Sequence, residues 1–498
     1  MKKLSSLWFI ILTIFSIWSC KKLLDIAPQT GQVTDADFFK TKADFNSFIF
    51  GAYAEMAGAF DRTGVSNWII VPGLVSQDLV GSDEQPKPLA EYMSPSTPTF
   101  QEYWAGFFRI LTKANLVLDK LPGSTIDNTD KVIIEGEAKF LRGFAYFNLA
   151  RAFGNVPLLL ISYEGSQNNA ECTPEDEVWD QVIKDLMEAS QQLPTRAGWG
   201  ADNLGRATKG TALAYLANAY MYKKDWTNAT KASTDLITLG EYNLLADVRD
   251  VFSEKTPNNN ESIFEVQYRN ISDGNIVWSG QPNAGSSLAE WTAPRNIGDA
   301  YAQAGGWGET IAKRKLADSF EPGDDRRTKL IKIPGEKYKG ETMSDTLLIP
   351  LNVAQSKSAF STKYWLGPQL ITGVTYLSDQ NVPVMRYAEF LLNYAEILFE
   401  SGKTTEGYMQ MNLVRQRAKL PALPASADKP TFITALMKER RHELNFEPNL
   451  WFHYTRTGTA ADFLQTVYGI TMNAAWNKFP IPQPDRDQNP KLCQNTGY

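Results

Sequence analysis

Four aromatic residues stand beside hydrogen-bonding side chains in stretches that lack any helical period. Trp278 is flanked by Asn275 and Gln281, Trp291 by Glu290 and Arg295, and Trp365 follows Tyr364 with Gln369 close behind. Tyr92 shares an early stretch with Asp83 and Glu84. Aromatic faces among amides and carboxylates suit one kind of chemistry: stacking on the C–H face of a polyhydroxy ring while its hydroxyls are hydrogen-bonded.

Nothing comparable is assembled for breaking bonds. The chain has only two histidines, His442 and His453, against 59 aromatic residues counted as 13 Trp, 20 Tyr and 26 Phe, a balance that favours stacking and packing over proton transfer. The run His442-Glu-Leu-Asn-Phe446 begins like a zinc-protease motif, but Phe446 occupies the place of the second histidine. Glu439 and Glu443 share a helix face at i, i+4, the arrangement of a carboxylate pair. With Arg440 and Arg441 adjacent, ion pairing is the expected role, not glycoside hydrolysis. The run Asp324, Asp325, Arg326, Arg327 is assigned no ligand. No phosphate-binding glycine loop and no Cys/His cluster occurs, so neither cofactor nor metal is expected.

The N-terminus sets the address. Lys2 and Lys3 precede an apolar run over 7–18, then Ser19 and Cys20. The run is too short to span a bilayer, which takes roughly 20 residues, and reads as a lipoprotein signal peptide over 1–19. Cleavage before Cys20 would leave that cysteine as the lipid-bearing N-terminus, anchoring the protein to a membrane surface without crossing it. The net charge is −6, and more acidic once Lys2 and Lys3 are removed, which argues against nucleic acid as a partner. Cys172 and Cys493 are the other cysteines, and their separation does not say whether they pair.

Helices must position whatever the aromatics do. After an extended leader over 20–34, apolar periodicity predicts helices over 36–60, 99–121, 133–153 and 175–193. Two helical hairpins follow the same logic, 207–223 with 226–239, separated only by Lys224 and Asp225, and 387–400 with 406–419, turned at Ser401, Gly402 and Lys403. The small residues Ala212, Ala214, Ala217 and Ala219 permit close approach of partner helices, the arithmetic of a tetratricopeptide-like repeat. Residues 71–98 read as a long loop, and 258–381 as an irregular insertion with short β-prone runs such as 262–267. The fold class is mainly α, a helical-repeat scaffold over 35–60, 99–240 and 385–447 that carries the ligand-binding part, mainly 258–381. Trp104, Trp226 and Trp451 fall in the framework and are expected in the core.

Several segments in fixed order give the chain a family likeness. They are Glu137-Ala-Lys-Phe-Leu-Arg142 leading to Phe153-Gly-Asn-Val-Pro157; Arg206-Ala-Thr-Lys-Gly210; Arg386-Tyr-Ala-Glu389; Asn412-Leu-Val-Arg-Gln-Arg-Ala418; Glu439-Arg-Arg-His-Glu-Leu444; and Pro480-Ile-Pro482 leading to Gln494-Asn-Thr-Gly-Tyr498. Together these resemble the SusD/RagB family of outer-membrane nutrient-binding lipoproteins over nearly the whole mature chain. One departure is that Leu450 and His453 flank Trp451 and Phe452, where the family usually has Arg and Asp. The resemblance implies a non-catalytic, surface-facing glycan-binding lipoprotein with Tyr92, Trp278, Trp291 and Trp365 as candidate stacking residues. It also implies a partner, a SusC-like TonB-dependent transporter over which the lipoprotein closes as a lid. A peptide binder in the same kind of system is the alternative, and a lipid-anchored glycoside hydrolase a weaker one.

Overall fold

A computed structural model describes residues 38–61, 70–81, 93–162, 170–269, 285–286, 288, 292, 310–338, 341–342, 358–364 and 378–498. The leader with Cys20, and the candidates Tyr92, Trp278, Trp291 and Trp365, lie outside the described residues.

Helices make the scaffold. Along α1 (Lys42–Asp61), α2 (Ile70–Val75), α3 (Pro98–Lys120), α4 (Asn128–Phe153) and α5 (Glu175–Gln192), each long element packs on its sequence neighbour. Helix α3 shows why. Pro98 opens it at a position where a missing N–H costs nothing, and Phe100, Tyr103, Phe107, Ile110, Leu111, Ala114 and Val117 recur at helical spacing to bury one face. The sequence places the start of α4 at 133, but the helix begins at Asn128. The Asp127 carboxylate accepts from the Thr129 N–H, a cap that polar residues 127–131 conceal from a reading based on apolar period. Gly154, at φ 75°, ends it.

The two predicted hairpins are present as α6 (Lys209–Tyr222) with α7 (Trp226–Thr238), and, further along, Tyr387–Glu400 with Thr404–Arg417. A capping box between Thr208 and Thr211 starts α6. In the second hairpin Gly407 lets the helices meet: a Cβ there would stand 2.7 Å from the Ala395 carbonyl oxygen. Trp104 and Trp451 are buried as expected, while Trp226 is partly buried at the edge of the core.

The early segment 71–98 is not all loop. It contains α2 and strand β1 (Leu79–Gly81), which joins a sheet with residues far along the chain. The other strands are β2 (Ser262–Val266), β3 (Thr310–Lys313), β4 (Ile331–Lys332), β5 (Lys337–Tyr338), β6 (Glu341–Thr342), β7 (Ser358–Ser361) and β8 (Val382–Arg386). Order β1-β3-β7-β4 forms a four-stranded antiparallel sheet, with Leu79 opposite Ala312 and Ala312 opposite Ala359. Strand β2 pairs antiparallel with β8, and β5 with β6. Strand β2 matches the β-prone run expected at 262–267, whereas β1 is read as loop because three residues carry no period and its partner β3 lies far along the chain. The insertion also holds a short helix, α8 (Asp325–Leu330), capped by Asp324.

Cys172 and Cys493 form a disulfide that ties residues beside the Val156–Thr173 bridge to the C-terminus. It closes a loop of 321 residues and suits an oxidising compartment outside the cytoplasm. Removing it by Cys172→Ser is expected to cost about 2–4 kcal/mol. Thermal melts with and without reductant check this: dithiothreitol should lower the wild-type midpoint and leave that of Cys172→Ser unchanged.

Candidate functional site

The segments bearing the predicted aromatics depart from anchors that are themselves fixed. The stretch holding Tyr92 leaves β1 after Gly81 and re-enters at buried Met93, beside Pro95, whose carbonyl accepts from the Gln483 N–H. Behind β1, Asp78 is buried and bound by Arg441 at 2.6 Å, and its carbonyl accepts from the Lys313 N–H. The stretch with Trp278 begins just beyond Tyr268, whose N–H donates to the Asn381 side chain at 2.9 Å. Buried Leu288 and Thr292 bracket Trp291, and Ser286 pairs with Ser378. Trp365 directly follows Tyr364, a fully buried ring. Thus strands β1 and β7, in one sheet with only β3 between them, carry the departure points toward Tyr92 and Trp365.

A buried ion network fixes the Trp365 side of this arrangement. Arg386, at the end of β8, has no solvent exposure and binds Glu443 at 2.6 Å, Glu447 at 2.6 Å and Glu261 at 2.9 Å. Lys363, two residues before Trp365, donates to the Glu447 carboxylate and to the carbonyls of Glu443 and Asn445. Arg417 reaches Glu261 and Glu443, and Arg326 joins Asp324, Glu439 and Glu443. Glu439 and Glu443 are therefore ion-paired from several sides, as their neighbours suggest, and the Asp324–Arg327 run supplies a helix cap and ion pairs. Burial alone would raise the Glu443 carboxyl, but Arg417, Arg386 and Arg326 hold it well below the ordinary carboxylate range. The arginines outweigh desolvation at Glu443, while burial prevails at Glu439, which is raised, and at Lys363, which is lowered to about 8; the shared ion pairs hold these chain segments in one register.

The histidines are equally structural. His442 stacks on Phe320 with ring centroids 4.3 Å apart and bonds Ser319, and burial holds it well below its usual pKa. His453, one of the two residues that depart from the family pattern, sits 3.1 Å from Glu389, and burial pushes that carboxyl up to about 7. Among the described residues, no group of three His, Cys, Asp or Glu is placed to hold a metal ion.

A second carboxylate gives a pH prediction. Burial would raise Glu396, yet Arg456 and Arg440, each 2.7 Å away, hold it down to about 2 from 4.5. A depressed carboxylate pKa means stability that is full above the unfolded value and lost as pH falls through the folded one. The melting temperature should therefore fall between pH 4.5 and 2, with Glu443 acting in the same direction. Glu396→Gln is expected to lower stability at pH 7 and to flatten that fall; an unchanged slope would contradict the assignment.

The described residues also line a cleft of about 430 Å³ beside helix α1, between it, the loop over 202–206 and the end of β2. Phe50 and Leu204 present exposed apolar surface there, and Arg206 stacks over Phe50 at 5.1 Å and Trp199 at 4.3 Å. Sequence reading misses this site because Phe50 sits in a helix whose apolar period points to the core. The signal is that buried Phe45 and Ile49 define the inner face, and Phe50 lies off it.

Among the described residues no helix is long and apolar enough to cross a membrane. Two family models match: the SusD family over residues 260–498, and "Starch-binding associating with outer membrane" over 24–221. With the helical scaffold and these matches, the chain belongs to the SusD/RagB family. A SusD-like protein of Formosa agariphila is 26% identical over 536 residues, taking in 100% of this chain and 99% of the relative. The starch-binding protein SusD of Bacteroides thetaiotaomicron is 22% identical, over 81% of this chain and 80% of its own. Among solved structures, a laminarin-binding SusD-like protein superposes with TM-score 0.79 at 26% identity, covering 92% of this chain and 100% of that one. Surface glycan-binding protein A of Bacteroides fluxus does so with TM-score 0.76 at 23% identity, over 92% and 100%.

Proposed function

We propose that this chain is a non-catalytic glycan-binding lipoprotein of the outer membrane, anchored through Cys20 and facing the cell exterior. Tyr92, Trp278, Trp291 and Trp365 stack on sugar rings while the adjacent Asn, Gln, Asp, Glu and Arg side chains bind hydroxyls. The lipoprotein captures an oligosaccharide and delivers it to a SusC-like TonB-dependent transporter barrel, over which it closes as a lid. The observation that carries this reading is the full-length match to a laminarin-binding protein at TM-score 0.79. In support, the carboxylates that could resemble a hydrolytic pair, Glu439 and Glu443, are locked in ion pairs and buried away from any substrate. The domain division follows: signal peptide 1–19, lipidated leader 20–34 and SusD-like fold 35–498.

Calorimetric titration of the mature chain lacking Cys20 tests this, with laminarin as the first glycan and starch as the second. Binding with a dissociation constant in the micromolar to millimolar range, about −8 to −4 kcal/mol, is the expected result. Release of new reducing ends would point to a hydrolase instead, and heat from peptides but from no glycan would point to peptide uptake.

A further inference from the structure

We infer that the cleft beside Phe50 is a second saccharide-binding site, separate from the aromatic segments. The inference takes its ligand class partly from the glycan-binding reading above, and partly from the cleft itself. Its volume, about 430 Å³, is ample for a short oligosaccharide segment and falls within the usual size of small-molecule sites. Phe50 is 49% exposed and Leu204 42%, an unusual exposure for large apolar side chains that line the same cleft.

The wall behind them is rigid. The Arg206 guanidinium is held by the fully buried Glu137 carboxylate and by Asn46, and stands over the rings of Phe50 at 5.1 Å and Trp199 at 4.3 Å. Tyr53 donates to Glu137 and accepts from the Ala207 N–H. The opposite wall is closed by Gln267, whose amide pairs with that of Asn258 at 2.8 and 3.0 Å. Gly205 allows this closure: it has φ 96°, and a Cβ there would stand 2.5 Å from Gln267. A site fixed in this way loses little freedom when it binds.

The rim chooses the ligand. Asp202 and Arg269 project from different walls, both exposed, and among the described residues neither carries an ion pair. An anionic ligand would meet Asp202 and a cationic one Arg269, while a purely apolar chain would desolvate both. A neutral polyhydroxy ring satisfies all three features. Its C–H face covers Phe50, and its hydroxyls donate to the Asp202 carboxylate and accept from Arg269.

The test compares wild type, Phe50→Ala and Asp202→Ala, all as the mature chain lacking Cys20. Laminarin and laminarihexaose are the probes, and circular dichroism is the control for folding. Both substitutions lie at exposed positions and should leave the fold intact. Each is expected to weaken retention of the protein by laminarin about threefold or more, through the lost ring contact or the lost hydroxyl acceptor in the cleft. Crystals soaked in laminarihexaose should show a sugar ring over Phe50. If wild type binds laminarin, the variants bind it equally well and the soaked cleft holds no sugar, the second site is overturned and the glycan-binding reading stands. If wild type binds neither probe, the glycan-binding reading fails for this ligand class and the saccharide assignment of the cleft fails with it.

Discussion

Arg386→Met is expected to destabilise the protein by about 3–5 kcal/mol, the cost of leaving a buried charge uncompensated. Arg386 has no exposure and serves three carboxylates, those of Glu261, Glu443 and Glu447. Methionine would fill much of the same space but offer them no donor. Lys363 and Arg417 would still reach Glu447 and Glu443, which keeps the loss from being larger. Chemical denaturation of wild type and variant measures the difference, and a cost under about 1 kcal/mol would show that the network is not what holds this region. A double variant, Arg386→Met with Glu447→Gln, should recover part of the loss, because it removes one of the stranded charges. The effect should extend to binding, since Lys363 ties the same network to the chain two residues before Trp365.

Replacing Trp278, Trp291 and Trp365 together by alanine is expected to weaken glycan binding by about tenfold or more, leaving only what the cleft beside Phe50 retains, with the helical circular dichroism unchanged. Each ring contributes stacking that alanine cannot, at roughly 0.5–1.5 kcal/mol beyond area burial for an aromatic pair. Three such losses total roughly 1.5–4.5 kcal/mol, a large share of the roughly 4–8 kcal/mol that a micromolar to millimolar interaction supplies. The scaffold should not notice, because its core is built from residues such as Phe100, Phe144 and Trp451 on other segments. Binding at wild-type strength would show that the ligand is held elsewhere, and the cleft beside Phe50 would be the first place to look.

Much of the scaffold is legible in the sequence because helices announce themselves locally. Helix 387–400 begins and ends where its apolar period says, and the turn residues 401–403 mark the hairpin. The start of α4 is missed because a cap and a polar first turn carry no period. The four-stranded sheet is missed for a different reason: β1 has three residues and β4 two, too short to show a period, and β1 finds its partner β3 hundreds of positions away, Leu79 opposite Ala312. The ion network is half legible. The helix spacing of Glu439 and Glu443 suggests ion pairing, but that their partners would include Arg326, Arg386, Arg415 and Arg417 depends on how the chain folds back. The cleft is legible only in retrospect, since an exposed Phe50 looks in sequence like any other phenylalanine of its helix.

Native gel electrophoresis of the mature chain lacking Cys20, run through gels containing laminarin, starch or other polysaccharides in turn, tests the central claim most directly. The account predicts that at least one polysaccharide retards the protein relative to a polysaccharide-free gel, and identifies its glycan class by doing so. Equal mobility in every gel would contradict it.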